Sequence, residues 1–471
     1  MTPEDFRRYG HQLIDWIADY RSGLAQRPVM SQLEPGSVRG QLPRTPPQEP
    51  EPFARILADL ERVVMPGITH WNHPRFFAYF PSNAGLASVL ADLVSSGLGS
   101  QAMSWQTSPA ATELEEVVMD WLRQAVALPE GFTGVIQDTA STATLVALLC
   151  ARERASAFSQ NRGGLAREEA PLTVYASEEG HSSIAKAALL AGFGKEHLRL
   201  LGTDSDHALR VELLEEAVQR DLAEGRRPAA LVATVGSTAT TAVDPLDRMA
   251  RVARQHGLWL HVDAAMAGSA MILPECRWMW RGVEQADSVV FNPHKWLGVA
   301  FELTAYYVRD AQHLVRVMST NPSYLQTAVD ERVKNLRDWG LQLGRRFRAL
   351  KLWFLMREQG LQGLQARLRR DLANAQWLRE QVDAARDWER LAPVPLQTVC
   401  VRHVPEGVRD EARLTAHNLG IVERINRGGR AYLTPSVLKG KQMIRVSIGA
   451  EATTREDVAA AWEELRRESR R

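Results

Sequence analysis

Residues 258–266 read LWLHVDAAM and residues 288–296 read SVVFNPHKW. Each is a short apolar run that stops abruptly at polar, chemically capable residues. Leu258–Val262 and Ser288–Phe291 have the length and composition of buried strands, and the residues that end them are Asp263 and the group Asn292, Pro293, His294, Lys295. Working outward, further strand-length runs lie at Leu172–Ala176 and Ala229–Val235. Between and around them, apolar residues recur at helical spacing over Thr112–Ala127, Ser141–Arg154, Ser182–Ala191, Val211–Ala223 and Leu246–His256. Such alternation predicts an α/β domain whose mostly parallel sheet is covered on both faces. In that architecture ligands gather at the carboxyl ends of the strands.

The flanks differ. Phe6, Leu13, Ile14, Trp16, Ile17 and Tyr20 mark an amphipathic N-terminal helix. Seven prolines between Pro28 and Pro52 forbid a regular helix or a central strand there. This helix and arm either pack on their own chain or wrap a partner subunit. After a long helical stretch around Gly344–Arg390, strands are expected at Leu396–Arg402 and Met443–Ile448, with a helix at Arg455–Arg467. The parse is an arm over residues 1–80, a large domain over 81–364 and a small C-terminal α+β domain over 365–471.

Bulk properties exclude several classes. With 471 residues the chain exceeds the usual size of one core. Hydrophobic content of 45% and charged content of 24% are those of a globular protein. A formal net charge of +1 offers no field for nucleic acid or anionic lipid. Three cysteines, Cys150, Cys276 and Cys400, have no paired spacing, so neither a disulfide framework nor a zinc site is expected. No apolar run reaches the ~20 residues of a membrane span, and the first residues lack the apolar core of a signal peptide. A soluble, cytoplasmic protein is expected.

At the strand ends the residue types suggest a chemistry. A partly desolvated lysine amine has a lowered pKa and forms an imine with an aldehyde; Lys295 sits where that is possible, although an isolated Asn-Pro-His-Lys would read first as a surface loop, and it is the neighbouring strand ends that favour the imine. A carboxylate such as Asp263 can hold a pyridine nitrogen cationic, which makes the ring an electron sink. Metal ligation is the competing use, but no second carboxylate or histidine pair accompanies it. Thr139 and Ser141 open a helix whose first free amides suit a phosphate. His181, just after Leu172–Ala176, has a position from which an imidazole could lie flat on a cofactor ring, although a lone histidine is more often structural.

Together these segments resemble the aromatic L-amino acid decarboxylases, the group II branch of fold-type I enzymes that use pyridoxal 5'-phosphate (PLP). The likeness runs from about residue 3 to residue 465 and is carried by FRRYGHQLIDWIADY (6–20), THWNHPRFFAYFPS (69–82), SPAATELE (108–115), VIQDTASTATLVALL (135–149), GHSS (180–183), LWLHVDAAMAGSA (258–270), GVEQADSVVFNPHKWL (282–297) and LGRRFRALKLWF (343–354). It implies an aspartate aminotransferase-like large domain with a mostly parallel seven-stranded sheet, an N-terminal helical arm and a small C-terminal domain. Lys295 would bind PLP as a Schiff base, Asp263 would pair with the pyridine nitrogen, and His181 and Ala265 would cover the two ring faces. Thr139, Ala140, Ser141, Asn292 and His294 would surround the phosphate, with Thr238 beside the cofactor. Trp71, Tyr79, Phe80, Pro81 and Ser82 would line the substrate pocket, joined by Gln101 and Met103 from the partner of a homodimer. Gly344 matches relatives that admit an indole ring. Tyr324, in the segment NPSYLQTAVD, would return a proton to the substrate after carbon dioxide leaves.

The implied activity is decarboxylation of tryptophan, phenylalanine, tyrosine or DOPA to the arylalkylamine. Two alternatives are an aldehyde synthase, which in the family accompanies loss of that tyrosine or histidine, and a non-catalytic binding protein. Among departures from the family pattern, Asp138 stands where relatives commonly have a small residue. An aspartate there repels an anion unless it points away or is paired.

Overall fold

A computed structural model of the chain describes residues 1–320, 322–327 and 329–471, with Tyr324 by its backbone alone. The chain divides into two compact units, one of residues 82–373 and 392–398, the other of residues 1–81, 374–391 and 399–471.

The larger unit is built on seven strands: β1 (Thr133–Gln137), β2 (Leu172–Ser177), β3 (Leu198–Leu201), β4 (Arg227–Thr234), β5 (Trp259–Asp263), β6 (Ser288–Phe291) and β7 (Thr304–Val308), in the order β1-β7-β6-β5-β4-β2-β3. The pairs β2–β3, β2–β4, β4–β5 and β5–β6 are parallel; β7 runs antiparallel to both β1 and β6. Every residue of β2, β5, β6 and β7 is buried. That is why these strands read as unbroken apolar runs rather than alternating ones: both faces are covered. Ala140–Ala155 packs across β4, β5 and β6 and buries Ala143, Val146, Ala147, Leu148 and Ala151. Its small residues allow close approach to the sheet; truncating Leu148 to Ala would cost about 2–5 kcal/mol.

The expected helices recur within a few residues, two of them, Val211–Ala223 and Leu246–His256, with the same ends. Elements missed in sequence include the helix Leu86–Leu98 and the strands β3 and β7. β3 is a four-residue edge strand without a buried residue, so no apolar run marks it. The long helical stretch is Ala349–Ala384, broken at Gly360, where φ is 64°.

In the smaller unit, β8 (Trp388–Arg390), β9 (Thr398–His403), β10 (Thr434–Leu438) and β11 (Lys441–Ser447) form a sheet in the order β10-β11-β9-β8, accompanied by the helices Glu411–Arg427 and Arg455–Ser469. The N-terminal helix is Pro3–Ser22, started by a capping box between Thr2 and Asp5. Despite its apolar stripe it buries no residue. The proline-rich arm contains one short helix, Ser37–Gln41, fitted between Pro35 and Pro43. No helix among the described residues is long and apolar enough to cross a membrane.

Candidate active site

The parallel strands bring their carboxyl ends to one edge of the sheet, and each of five strands delivers one expected site group there: β1 leads to Asp138–Ser141, β2 to His181, β4 to Thr238, β5 ends in Asp263 and β6 leads to Asn292–Lys295. Register fixes their level. Asp263 pairs with Thr234 on one side and Val290 on the other.

Asp263 is buried, 4% exposed. Its Oδ1 accepts the Ala265 N–H at 3.1 Å; Oδ2 has no hydrogen bond among the described residues. A buried carboxylate with one oxygen held and one open suits a cationic N–H partner. Lys295 follows β6 in a tight turn, Pro293–Leu297. Burial lowers its pKa, and the Asp263 carboxylate opposes that shift. His181 is pulled down by burial, raised again by Asp263 and lowered by Lys295. Lysine, aspartate and histidine therefore share one electrostatic environment. The Ser183 N–H donates to His181 Nδ1 at 3.1 Å, so the neutral ring carries its proton on Nε2.

A second cluster lies at β1, β7 and β6. Because β7 is antiparallel, its first residue, Thr304, meets the last residue of β1. The Thr304 hydroxyl lies 2.8 Å from Asn292 Oδ1 and 3.0 Å from the Asp138 carbonyl oxygen. This one side chain links the Asn292 loop to the start of the helix Ala140–Ala155. With its oxygen held, Asn292 offers Nδ2, which has no partner among the described residues. Thr139 caps the helix by accepting the Thr142 N–H, leaving the Ala140 and Ser141 N–H groups and the Ser141 hydroxyl unpaired among the described residues. His294 is fixed by Nδ1, 2.7 Å from the Leu303 carbonyl oxygen; burial brings its pKa to about 3, so the ring is neutral.

Neutral donors at the helix start and an open carboxylate oxygen beside a low-pKa lysine fit the phosphate, the ring nitrogen and the aldehyde of PLP, respectively. Among the described residues no cluster of histidine, cysteine, aspartate and glutamate could hold a metal.

Sequence reading missed the groups that brace this edge. The Asn83 amide donates to the Lys295 carbonyl at 3.1 Å. Arg367 donates to the carbonyls of Trp296 and Leu297 at 2.8 and 2.6 Å. The Trp296 indole N–H donates at 2.9 Å to Asp371, whose burial pushes its pKa to about 6. The only sequence signal was that Trp296 falls inside a motif already quoted and Asn83 directly follows another.

The remaining expected residues are distributed. Thr238 sits exposed in the turn after β4, and Ser82 makes no hydrogen bond among the described residues. Gln101 and Gly344 are neighbours: a Cβ on Gly344 would lie 3.4 Å from Gln101 Nε2, while Gln101 Oε1 accepts the Arg345 N–H at 2.6 Å. The Met103 carbonyl accepts the Arg337 N–H at 2.8 Å. Trp71, Tyr79, Phe80 and Pro81 belong to the smaller unit. There Trp71 stacks on Tyr79 with centroids 5.5 Å apart, and Tyr432, which sequence did not single out, joins them edge-on. Trp71 and Tyr79 are 39% and 47% exposed, whereas Phe80 is buried beneath the Arg445 guanidinium. The Tyr324 side chain lies outside the described residues.

Comparison with known proteins gives a consistent picture. Residues 35–404 match the pyridoxal-dependent decarboxylase conserved domain. A phenylacetaldehyde synthase of Arabidopsis thaliana is 41% identical, covering 100% of this chain and 96% of that protein. A tryptophan decarboxylase of Camptotheca acuminata is 40% identical, covering 99% and 95%. The crystal structure of Oryza sativa TDC with PLP and tryptamine superposes with a TM-score of 0.96 at 36% identity, covering 100% of this chain and 98% of that one.

Proposed function

The chain belongs to the pyridoxal-dependent decarboxylase family, and from that premise we propose that it decarboxylates an aromatic L-amino acid to the arylalkylamine. The observation that carries this reading is the buried pair at the sheet edge, a lysine with a lowered pKa and an aspartate with one open oxygen.

Bound PLP supplies the electron sink for the pair left behind when carbon dioxide departs. The chain's residues orient and poise it. Lys295 would hold the aldehyde end and Asp263 the ring nitrogen, with His181 and Ala265 against the ring and Thr238 beside it. Thr139, Ala140, Ser141, Asn292 and His294 would receive the phosphate. We assign Trp71, Tyr79, Phe80, Pro81, Ser82 and Gly344 to substrate contacts, with Gln101 and Met103 contributed by the partner of a homodimer. An apolar, aromatic lining leaves an acidic side chain desolvated and unpaired, which disfavours glutamate. Tyr324 would return a proton from its hydroxyl to the substrate alpha carbon. The presence of both Tyr324 and His181 supports amine rather than aldehyde as the product.

Two features support the homodimer. The helix Pro3–Ser22 has no fully buried residue on its own chain, and the helix Leu86–Leu98 exposes Leu86, Leu90, Leu93, Val94 and Leu98 along one stripe, each 42–62% exposed. A stripe of that size calls for a cover. Three buried cysteines without a disulfide support a cytoplasmic location.

The test is a panel of tryptophan, phenylalanine, tyrosine, DOPA and glutamate, with amine release and oxygen uptake followed together. Amine from at least one aromatic substrate, with little from glutamate, is expected. Efficient glutamate decarboxylation would overturn the pocket reading; aldehyde with stoichiometric oxygen uptake would move the product to the second reading, which the similarity to the Arabidopsis synthase raises.

A further inference from the structure

We propose that Asp138 weakens the chain's hold on the cofactor phosphate, so that PLP is bound exchangeably rather than tightly; this rests on the reading of the helix start as the phosphate cradle. Asp138 is the residue between β1 and the helix cap Thr139. Its carboxylate bonds the first residue of the cradle: Oδ1 accepts the Thr139 N–H at 2.6 Å, and Oδ2 accepts the Gln342 side-chain amide at 3.1 Å. Gln342 is held in range because its loop packs tightly on β1. The Gln137 amide donates to the Trp339 carbonyl at 2.8 Å, and a Cβ on Gly340 would lie 2.7 Å from that same amide nitrogen.

Both partners of the carboxylate are neutral. No cation lies within ion-pair distance of Asp138 among the described residues. The two arginines that share its small cavity, Arg345 and Arg348, are already paired, with Glu115 and Glu302. His294, close enough to feel the Asp138 charge, is neutral. The negative charge is therefore uncompensated two and three residues before the free Ala140 and Ser141 amides, and it also occupies the Thr139 amide. A phosphate arriving there meets a like charge.

The test compares wild type with Asp138→Asn and Asp138→Gly, stripped of cofactor and titrated spectroscopically with PLP and with pyridoxal, which lacks the phosphate. Asn keeps the acceptor for Thr139 and removes the charge; its NH2 replaces the oxygen that Gln342 bonds, and Gln342 can meet it by turning its own amide oxygen inward. Both variants are expected to bind PLP about tenfold more tightly, a like-charge effect of ordinary size in a part-buried site, with pyridoxal affinity unchanged. A role limited to capping Thr139 and tethering Gln342 predicts the opposite, weaker PLP binding on substitution. Unchanged or weaker PLP binding in Asp138→Asn, with wild type still preferring PLP to pyridoxal, would overturn the proposal and leave the cradle standing. Tightening in Asp138→Gly alone would also overturn it, since the charge would not be the cause. Equal wild-type affinity for PLP and pyridoxal would remove the cradle itself, and the proposal with it.

Discussion

Asp263→Asn isolates the electrostatic core of the site. The side chain is buried at the end of β5, and its Oδ1 accepts the Ala265 N–H. Asparagine can keep that bond, so fold and cofactor content should persist. What is lost is the charge facing the open side. A buried opposite charge favours a cation by about 1–3 pKa units, and each unit is worth about 1.4 kcal/mol. Removing it should slow turnover by roughly 10- to 1,000-fold. The same charge opposes the burial that depresses Lys295 and His181, so both pKa values should fall further in the variant. The assay is steady-state amine release beside the absorbance of bound cofactor, with Lys295→Ala as the control that loses borohydride-trapped cofactor. Full activity in Asp263→Asn at normal cofactor content would refute the electron-sink assignment.

Three further outcomes are expected. Tyr324→Phe should still release carbon dioxide but shift product from amine towards aldehyde with oxygen consumed; amine alone at near wild-type rate on an oxygen electrode would remove Tyr324 as proton donor. Deleting residues 1–50 should give a monomer or insoluble protein by sedimentation, and an active dimer would show the arm to be dispensable. His261, buried between Ser288 and Thr144, has its pKa pulled by burial from 6.5 to about 4. The unfolded chain then binds the extra proton first, so stability is full above pH 6.5 and falls as pH drops towards 4, by about 2 kcal/mol at pH 5. Denaturant titration of His261→Gln should show a shallower loss between pH 7 and 5, and an unchanged slope would contradict this.

The strand ends were legible because parallel strands buried on both faces are largely apolar, so the polar residue that stops the run marks the edge, as at Asp263 and Asn292; Thr139 was found instead as a hydroxyl at the start of a helix. What sequence could not reach are contacts made across long separations. Thr304 joins Asn292 to Asp138 only because β7 runs antiparallel, and that reversal leaves no mark in TAYYV. Tyr432 reaches Tyr79 across 353 residues. Arg367 and Asp371 share one helix face at i and i+4, a pattern any buried helix can carry; their targets, the carbonyls and indole after Lys295, appear only when the helix is docked.

The two aspartates at this edge argue for reading partners rather than residue types. Asp263 ends one strand and Asp138 follows another, and each accepts a backbone N–H, from two residues on and from the next residue respectively. Asp263 keeps an oxygen open toward a lysine and a histidine whose protonation it favours. Asp138 spends its second oxygen on a neutral amide and directly precedes the helix start with its unpaired donors. A carboxylate beside cations lowers the energy of positive charge, and beside anion donors it raises the energy of negative charge. The same side chain thus favours the cationic ring at one end of the cofactor and opposes the phosphate at the other. Tight ring chemistry can therefore coexist with loose phosphate retention, and the paired Asp263 and Asp138 variants should separate in opposite directions on rate and on PLP affinity.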